Sequence, residues 1–279
     1  MKTGIIGLGL LGGSMALALK NAGDTEVFGR DLYNYGRAKS LGITDRELTD
    51  KNLAEMDVII IATPVNTIPG IAIDVLNKIR SKTLVFDVGS TKFNIAREIA
   101  QHKNRKNFLL AHPIAGTEYS GPEAAFSNLF AGKINILCDV QQTAPEILDR
   151  GKSLFESLLM NNIQMDSREH DRHIAYVSHL SHISSFMLGK TVLDLEKDEK
   201  NIFQMAGSGF ASTVRLAKSS PETWTPIFLE NKKPLLQSLK EYIDNLNKLK
   251  NMLENEKEED IKQLLHKINY IGKIIDKLK

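Results

Sequence analysis

Lys2-Thr3-Gly4-Ile5-Ile6-Gly7-Leu8-Gly9-Leu10-Leu11-Gly12-Gly13-Ser14 is the stretch that decides the fold. A short apolar run leads into glycines spaced G-x-G-x-x-G, and Leu10 to Asn21 continues as a helical pattern rich in Leu and Ala. Glu26 to Gly29 reads as a second strand. Asp31 closes it, nineteen residues past Gly12 (31 − 12). Alone, such a glycine pattern is a weak signal. Between a strand and a helix, with an acid at this spacing, it marks a dinucleotide-binding βαβ unit. Gly7 permits the tight turn, Gly9 lets the backbone approach a pyrophosphate, and Gly12 lets helix and strand pack closely. The pyrophosphate is expected over Gly9, Leu10 and Leu11, where unpaired N–H groups and the helix dipole favour an anion.

Asp31, as acceptor for a ribose 2′-hydroxyl, points to NAD, because it would repel a 2′-phosphate. Arg30 beside it could pair with that phosphate, so NADP is the less favoured cofactor. Outward from this unit the alternation continues. Asp57 to Ala62 is an unbroken β-branched run, as in a strand covered on both faces. Ile68 to Ile79 is helical in period, Thr83 to Asp87 a strand, Asn94 to His102 a helix, and Phe108 to Ala111 a strand. Lys133 to Cys138 and Asn162 to Met165 look like two more strands. The expectation is an α/β fold, a Rossmann-type doubly wound parallel sheet over residues 1–166.

Near Asp166 the pattern changes, and 167–279 is expected to be an all-helical domain. Ile174 to Leu193 reads as a long buried helix. Beyond Pro234, apolar residues recur at Leu235, Leu239, Ile243 or Tyr242, Leu246, Leu249 and Leu253. They resume at Ile261, Leu264, Leu265, Ile268, Ile271, Ile275 and Leu278. This amphipathic stripe is long for so small a domain, which favours a subunit interface over packing within one chain. The acidic stretch Glu254 to Asp260 is either a solvated turn of one helix or the bend of a hairpin.

Bulk properties narrow the class. Lys and Arg total 36 against 34 Asp and Glu, a net charge of +2, which gives no electrostatic footprint for nucleic acid. No apolar run reaches the ~18 residues of a membrane span. Cys138 is the only cysteine in 279 residues, so neither a disulfide framework nor a multi-Cys zinc site is expected. A cytoplasmic protein is the expectation.

In an open parallel sheet, ligands bind beyond the carboxyl ends of the strands. Four turns meet that edge. These are the glycine loop, Ala62-Thr63-Pro64-Val65, Asp87-Val88-Gly89-Ser90-Thr91-Lys92, and His112-Pro113-Ile114-Ala115-Gly116-Thr117-Glu118. Ala62, Thr63 and Pro64 form a turn of small residues suited to passing beneath a cofactor. His112 is the natural acid/base near neutral pH.

His170, His173, His179 and His182 invite a metal reading. At ~100° per residue the first pair lies opposite the second on a continuous helix, so no metal site is expected. His179 reads as a core or interface polar residue. Arg215 is either a surface cation or a fork for a substrate carboxylate.

The glycine loop with Ser14, the Asp87-to-Lys92 turn and His112-Pro113-Ile114-Ala115-Gly116-Thr117-Glu118 resemble the prephenate dehydrogenase family of tyrosine biosynthesis. So do Val177-Ser178-His179-Leu180-Ser181-His182 and Arg215-Leu216-Ala217-Lys218-Ser219-Ser220-Pro221 with Trp224. The match is collinear over roughly 1 to 240, and the His112 run is its most specific part. It departs at Gly207-Ser208-Gly209-Phe210, where many relatives have three glycines before the Phe. The resemblance implies NAD-dependent oxidative decarboxylation of prephenate to 4-hydroxyphenylpyruvate. It also implies that His112 takes the hydroxyl proton and that Ser90 orients His112 and touches cofactor and substrate. Arg215 is then the partner of a substrate carboxylate, His182 contacts the side-chain end, and Thr117 lies in the substrate pocket. A helical domain that forms a homodimer is implied as well, and no fused regulatory domain is expected. The alternatives are an arogenate-preferring or dual-specificity dehydrogenase and, more distantly, a non-catalytic NAD-sensing protein. The sensor needs none of Ser90, His112 and Arg215.

Overall fold

The computed structural model describes residues 1–196 and 202–276. Eight strands form one sheet: β1 (Lys2–Ile6), β2 (Glu26–Arg30), β3 (Arg46–Glu47), β4 (Val58–Ile61), β5 (Leu84–Asp87), β6 (Phe108–Pro113), β7 (Ile134–Cys138) and β8 (Asn161–Met165). Their order is β3-β2-β1-β4-β5-β6-β7-β8. The connections carry helices α1 (Leu10–Ala22), α2 (Tyr35–Ser40), α3 (Ile68–Lys78), α4 (Phe93–Ile99) and α5 (Pro145–Ser157). Central strands β4 and β5 are buried at every position, as their unbroken apolar sequences require. One apolar cluster, with Met15, Leu19, Phe86 and Phe155, fills one face of the sheet. A second, with Ile59, Ile61, Leu76 and Phe108, fills the other.

Two features differ from the expected parallel sheet. β7 runs antiparallel to β6, and β8 pairs parallel with β7. The chain between β6 and β7 contains only a short 3-10 turn, Pro122–Ala124, and so lacks the crossover helix that a parallel neighbour needs. The two-residue β3 was too short to leave a pattern of its own.

After β8 the chain is helical: α6 (Ser167–Ile174), a π-helical turn (Ala175–His179), α7 (Leu180–Glu196), α8 (Ser208–Thr213), α9 (Pro221–Glu230), α10 (Lys232–Glu254), α11 (Glu258–Ile268) and α12 (Tyr270–Ile275). The long buried helix expected over 174–193 is not continuous α-helix and is only partly buried. Val177 is 74% exposed and Leu193 57%, and Ser185 is the buried residue of α7. An apolar sequence there faces solvent in the single chain.

The chain divides into two compact units, 1–232 and 233–279. In the second, the acidic stretch is a break between helices. Glu256 adopts left-handed φ of 50°, Lys257 N–H returns to the Met252 carbonyl at 2.9 Å, and Glu258, Glu259 and Asp260 occupy the first turn of α11. Much of the expected stripe is exposed, including Leu246, Leu253, Leu265, Ile268, Ile271 and Ile275. Its last member, Leu278, lies outside the described residues.

Candidate active site

The glycine loop has the form its sequence requires. Gly7 has φ of +94°, and a Cβ there would lie 2.4 Å from the Ala62 carbonyl oxygen. A Cβ on Gly12 would lie 1.9 Å from the Gly7 oxygen. At Gly9 a Cβ would meet nothing within 4 Å, so the backbone ahead of Leu10, Leu11 and the rest of α1 is open to a pyrophosphate. These spaces fit a dinucleotide. Ala62 N–H pairs with the Ile6 carbonyl at 2.7 Å, which carries the adjoining turn directly beneath the loop. In that turn the Thr67 hydroxyl donates to the Pro64 carbonyl at 2.7 Å and lies 2.9 Å from the Thr63 hydroxyl.

Asp31 accepts three backbone N–H groups, from Leu8 at 2.8 Å, Tyr33 at 2.9 Å and Asn34 at 2.7 Å. Burial alone would raise its pKa, but these bonds outweigh burial and hold the carboxyl below its ordinary range. Arg30 is committed elsewhere. Its Nε donates to the Leu48 carbonyl at 2.9 Å and its Nη2 to Asp50 at 2.8 Å, because neighbouring strand residues point to opposite faces.

His112 is the penultimate residue of β6 and is buried. Its Nδ1 lies 2.8 Å from His170 Nε2, and His170 Nδ1 lies 2.8 Å from Asp171 Oδ1. Asp171 also accepts the backbone N–H groups of Lys92 at 2.7 Å and Phe93 at 2.9 Å, so it caps the N-terminus of α4 as a carboxylate. The protons then follow. The carboxylate only accepts, so His170 carries its proton on Nδ1 and offers a lone pair at Nε2. His112 therefore donates from Nδ1, and its own Nε2 is left as an acceptor. Burial pushes the His112 imidazole well below the usual histidine range, aided by His170, Lys92 and His179. A neutral base is the result.

The orienting bond on His112 thus comes from His170, where the resemblance implies Ser90. Half-buried Ser90 makes no hydrogen bond to His112 among the described residues. The expected opposition of the histidine pairs also fails. A π-turn holds one residue more than an α-turn, which cuts the His170-to-His179 rotation from ~180° to ~80°. His179 is fully buried, shares a 3.1 Å hydrogen bond with Asn231 and is close enough to His112 to influence it electrostatically.

His182 stacks on Trp224 with ring centroids 3.3 Å apart, and Arg215 lies near enough to lower its pKa further, burial being the larger cause. Arg215 Nη1 sits 3.8 Å from Glu118 Oε2, which joins the 207–220 segment to the turn after β6. Thr117, next to Glu118, is exposed, and its hydroxyl accepts the Tyr119 N–H at 3.2 Å. The strand ends and the helices after residue 166 therefore do meet at one site.

Sequence reasoning missed His170, Asp171 and the buried Lys92–Asp87 pair. The one local signal was an acid next to a histidine, and its meaning depended on α6 packing against β6, a contact between residues 58 apart.

Family models match most of the chain. The prephenate dehydrogenase nucleotide-binding domain matches residues 15–161, and the prephenate dehydrogenase dimerization domain matches residues 166–267. A curated prephenate dehydrogenase from Bacillus subtilis (strain 168) is 31% identical over 92% of this chain and 71% of that protein. The crystal structure of prephenate dehydrogenase from A. aeolicus in complex with hydroxyphenyl propionate and NAD+ superposes with a TM-score of 0.90 at 31% identity, over 99% of this chain and 98% of that one. The Synechocystis arogenate dehydrogenase structure gives 0.80 at 28% identity, over 99% of this chain and 100% of that one. With the glycine loop, the buried imidazole line and both domain matches in agreement, the chain belongs to the prephenate dehydrogenase family.

Proposed function

We propose that this chain oxidises prephenate to 4-hydroxyphenylpyruvate and CO2 in L-tyrosine biosynthesis, with NAD as the cofactor and His112 as the base. The observation that carries this reading is the line Asp171–His170–His112, which presents a neutral, buried Nε2 at the carboxyl end of β6. Gly7, Gly9, Gly12, Leu10, Leu11 and Asp31 hold the cofactor, with Ala62, Thr63 and Pro64 beneath it. When bound, NAD supplies the hydride acceptor for ring carbon C4. His112 Nε2 accepts the C4 hydroxyl proton, and the ring ketone that results loses its carboxylate as CO2 and becomes aromatic. Arg215 pairs with a substrate carboxylate, His182 meets the side-chain end, and Ser90 and Thr117 contact substrate at the neighbouring turns.

NAD is preferred over NADP because Arg30 is tied to Leu48 and Asp50, while Asp31 stands at the end of β2. Residues 1–166 form the cofactor part and 167–279 the substrate and dimerisation part. The exposed apolar stripe of α10, α11 and α12 is the surface of a homodimer. Among the described residues no helix is long and apolar enough to cross a membrane, in keeping with a cytoplasmic enzyme. Steady-state turnover of prephenate and of arogenate, each with NAD and with NADP, is the test. Prephenate with NAD should give the highest kcat/KM. A higher value with arogenate would reassign the substrate, and no turnover of either would remove the dehydrogenase reading.

A further inference from the structure

Lys92 has a fully buried side chain. Its ammonium pairs with Asp87 and donates to the Ala111 carbonyl at 2.7 Å. Its backbone N–H donates to Asp171 at 2.7 Å. Ala111 directly precedes His112, and Asp171 is the far end of the line that holds His112 from behind. One residue therefore touches both supports of the imidazole. The need for a support is visible in the sheet. The β5–β6 ladder pairs Val85 with Phe108 and Phe86 with Leu109, and it stops short of Ala111. Beyond that point the β5 side of β6 has no strand neighbour, and the Lys92 ammonium supplies the missing donor. A buried ion pair is a poor means of stabilising a fold, since apolar residues of similar size usually do as well. It is an effective means of fixing two segments at a defined spacing.

We propose that Lys92, held by Asp87, is a positioning residue that sets the placement of His112 against the His170–Asp171 line. This inference rests on the reading of His112 as the base. The charged and titratable groups around His112 are Lys92 with Asp87 from the β5–α4 turn, His170 with Asp171 from α6, and His179 from the π-turn. Lys92 opposes protonation of His112, so removing its charge together with that of Asp87 should make His112 more basic.

The test is the isosteric neutral pair Asp87→Asn/Lys92→Met, made in the full-length chain and again in a His112→Asn background. In the parent background, kcat with prephenate and NAD should fall at least tenfold. The dissociation constant for NAD should change less than twofold, and the acid limb of kcat/KM should move to higher pH. In the His112→Asn background the pair should change kcat less than twofold, because its effect acts through the imidazole. Unchanged kcat in the parent, or an equal loss in both backgrounds, would overturn the positioning role. Failure of the base reading is separately visible, as a His112→Asn enzyme with near-normal kcat. Lys92→Gln is the second variant, with Asp87 free to take up a proton as its burial favours. If neither variant folds, the pair is structural and the proposal is overturned.

Discussion

The His112 Nδ1 donates to His170 Nε2 at 2.8 Å across 58 residues of sequence, joining the carboxyl end of β6 to the first helix beyond the sheet. With Asp171 behind His170, this bond fixes the tautomer of His112 and leaves Nε2 unprotonated. An imidazole buried this well would otherwise rotate or carry its proton on the wrong nitrogen.

His112→Asn should lower kcat by ~10²–10⁴ with NAD affinity little changed, the usual scale for loss of a general base. His170→Leu should lower kcat by roughly tenfold or more, because Nδ1 then lacks its acceptor and the useful tautomer is no longer enforced. Protonation of Nε2 removes the base, and burial holds the His112 pKa well below 6.5. The acid limb of the kcat/KM profile should therefore fall below that pH. Full activity of His170→Leu at neutral pH would separate the two histidines functionally.

Asp31 and Arg30 determine the second outcome. A 2′-phosphate would bring nearly two negative charges against Asp31, while the Arg30 guanidinium is occupied by Leu48 and Asp50. NAD should be preferred at least tenfold in kcat/KM, a difference of only ~1.4 kcal/mol. Asp31→Ser should shrink that preference and also weaken NAD itself, because the carboxylate closes the turn through the Leu8 N–H. Comparable kcat/KM values with both cofactors in the parent would show that Arg30 leaves Asp50 and governs the pocket.

The sheet was legible because each central strand is a continuous β-branched or aliphatic run and each turn at the carboxyl edge carries glycine or proline. Asp31 and the three glycines could be placed from spacing alone. The direction of β7 was not legible, because strand patterns carry no polarity and only the missing crossover helix betrays it. The His170–His112 bond was hidden because it joins residues 58 apart, and the facing of His179 and His182 was hidden for another reason. A five-residue π-turn has no compositional mark in Ala175-Tyr176-Val177-Ser178-His179, yet it rotates everything after it by about a quarter turn. The exposure of Val177 and Leu193 was illegible because apolar periodicity says which face is buried, not which chain buries it.

Arg215 and Glu118 lie 3.8 Å apart and are both partly exposed, so their mutual attraction contributes little to stability. Arg215→Ala should leave the melting temperature nearly unchanged and raise the KM for prephenate by ~10–100-fold, the equivalent of a charge-assisted bond of about 1.5–3 kcal/mol. An unchanged KM, measured at saturating NAD, would show that Arg215 is a surface cation paired with Glu118 and nothing more.

His179 couples the site to acid stability. Burial, its largest influence, lowers its pKa to about 4 from 6.5, against the pull of Asp171. In the unfolded chain the imidazole binds a proton as pH drops through 6.5, while in the folded chain it does so only near 4. Between those values the unfolded state holds more protons, so folding stability falls as pH is lowered through this window and the loss levels off below it. A shift of this size corresponds to about 3 kcal/mol at full effect. His179→Gln has no proton to take up and should lose less stability than the parent between pH 7 and 4.5, although it starts lower because the Asn231 contact is altered. Urea midpoints across that range read the difference directly. Parallel curves for parent and variant would show that His179 is protonated equally in the folded and unfolded chains, and that the acid sensitivity comes from His112 or elsewhere.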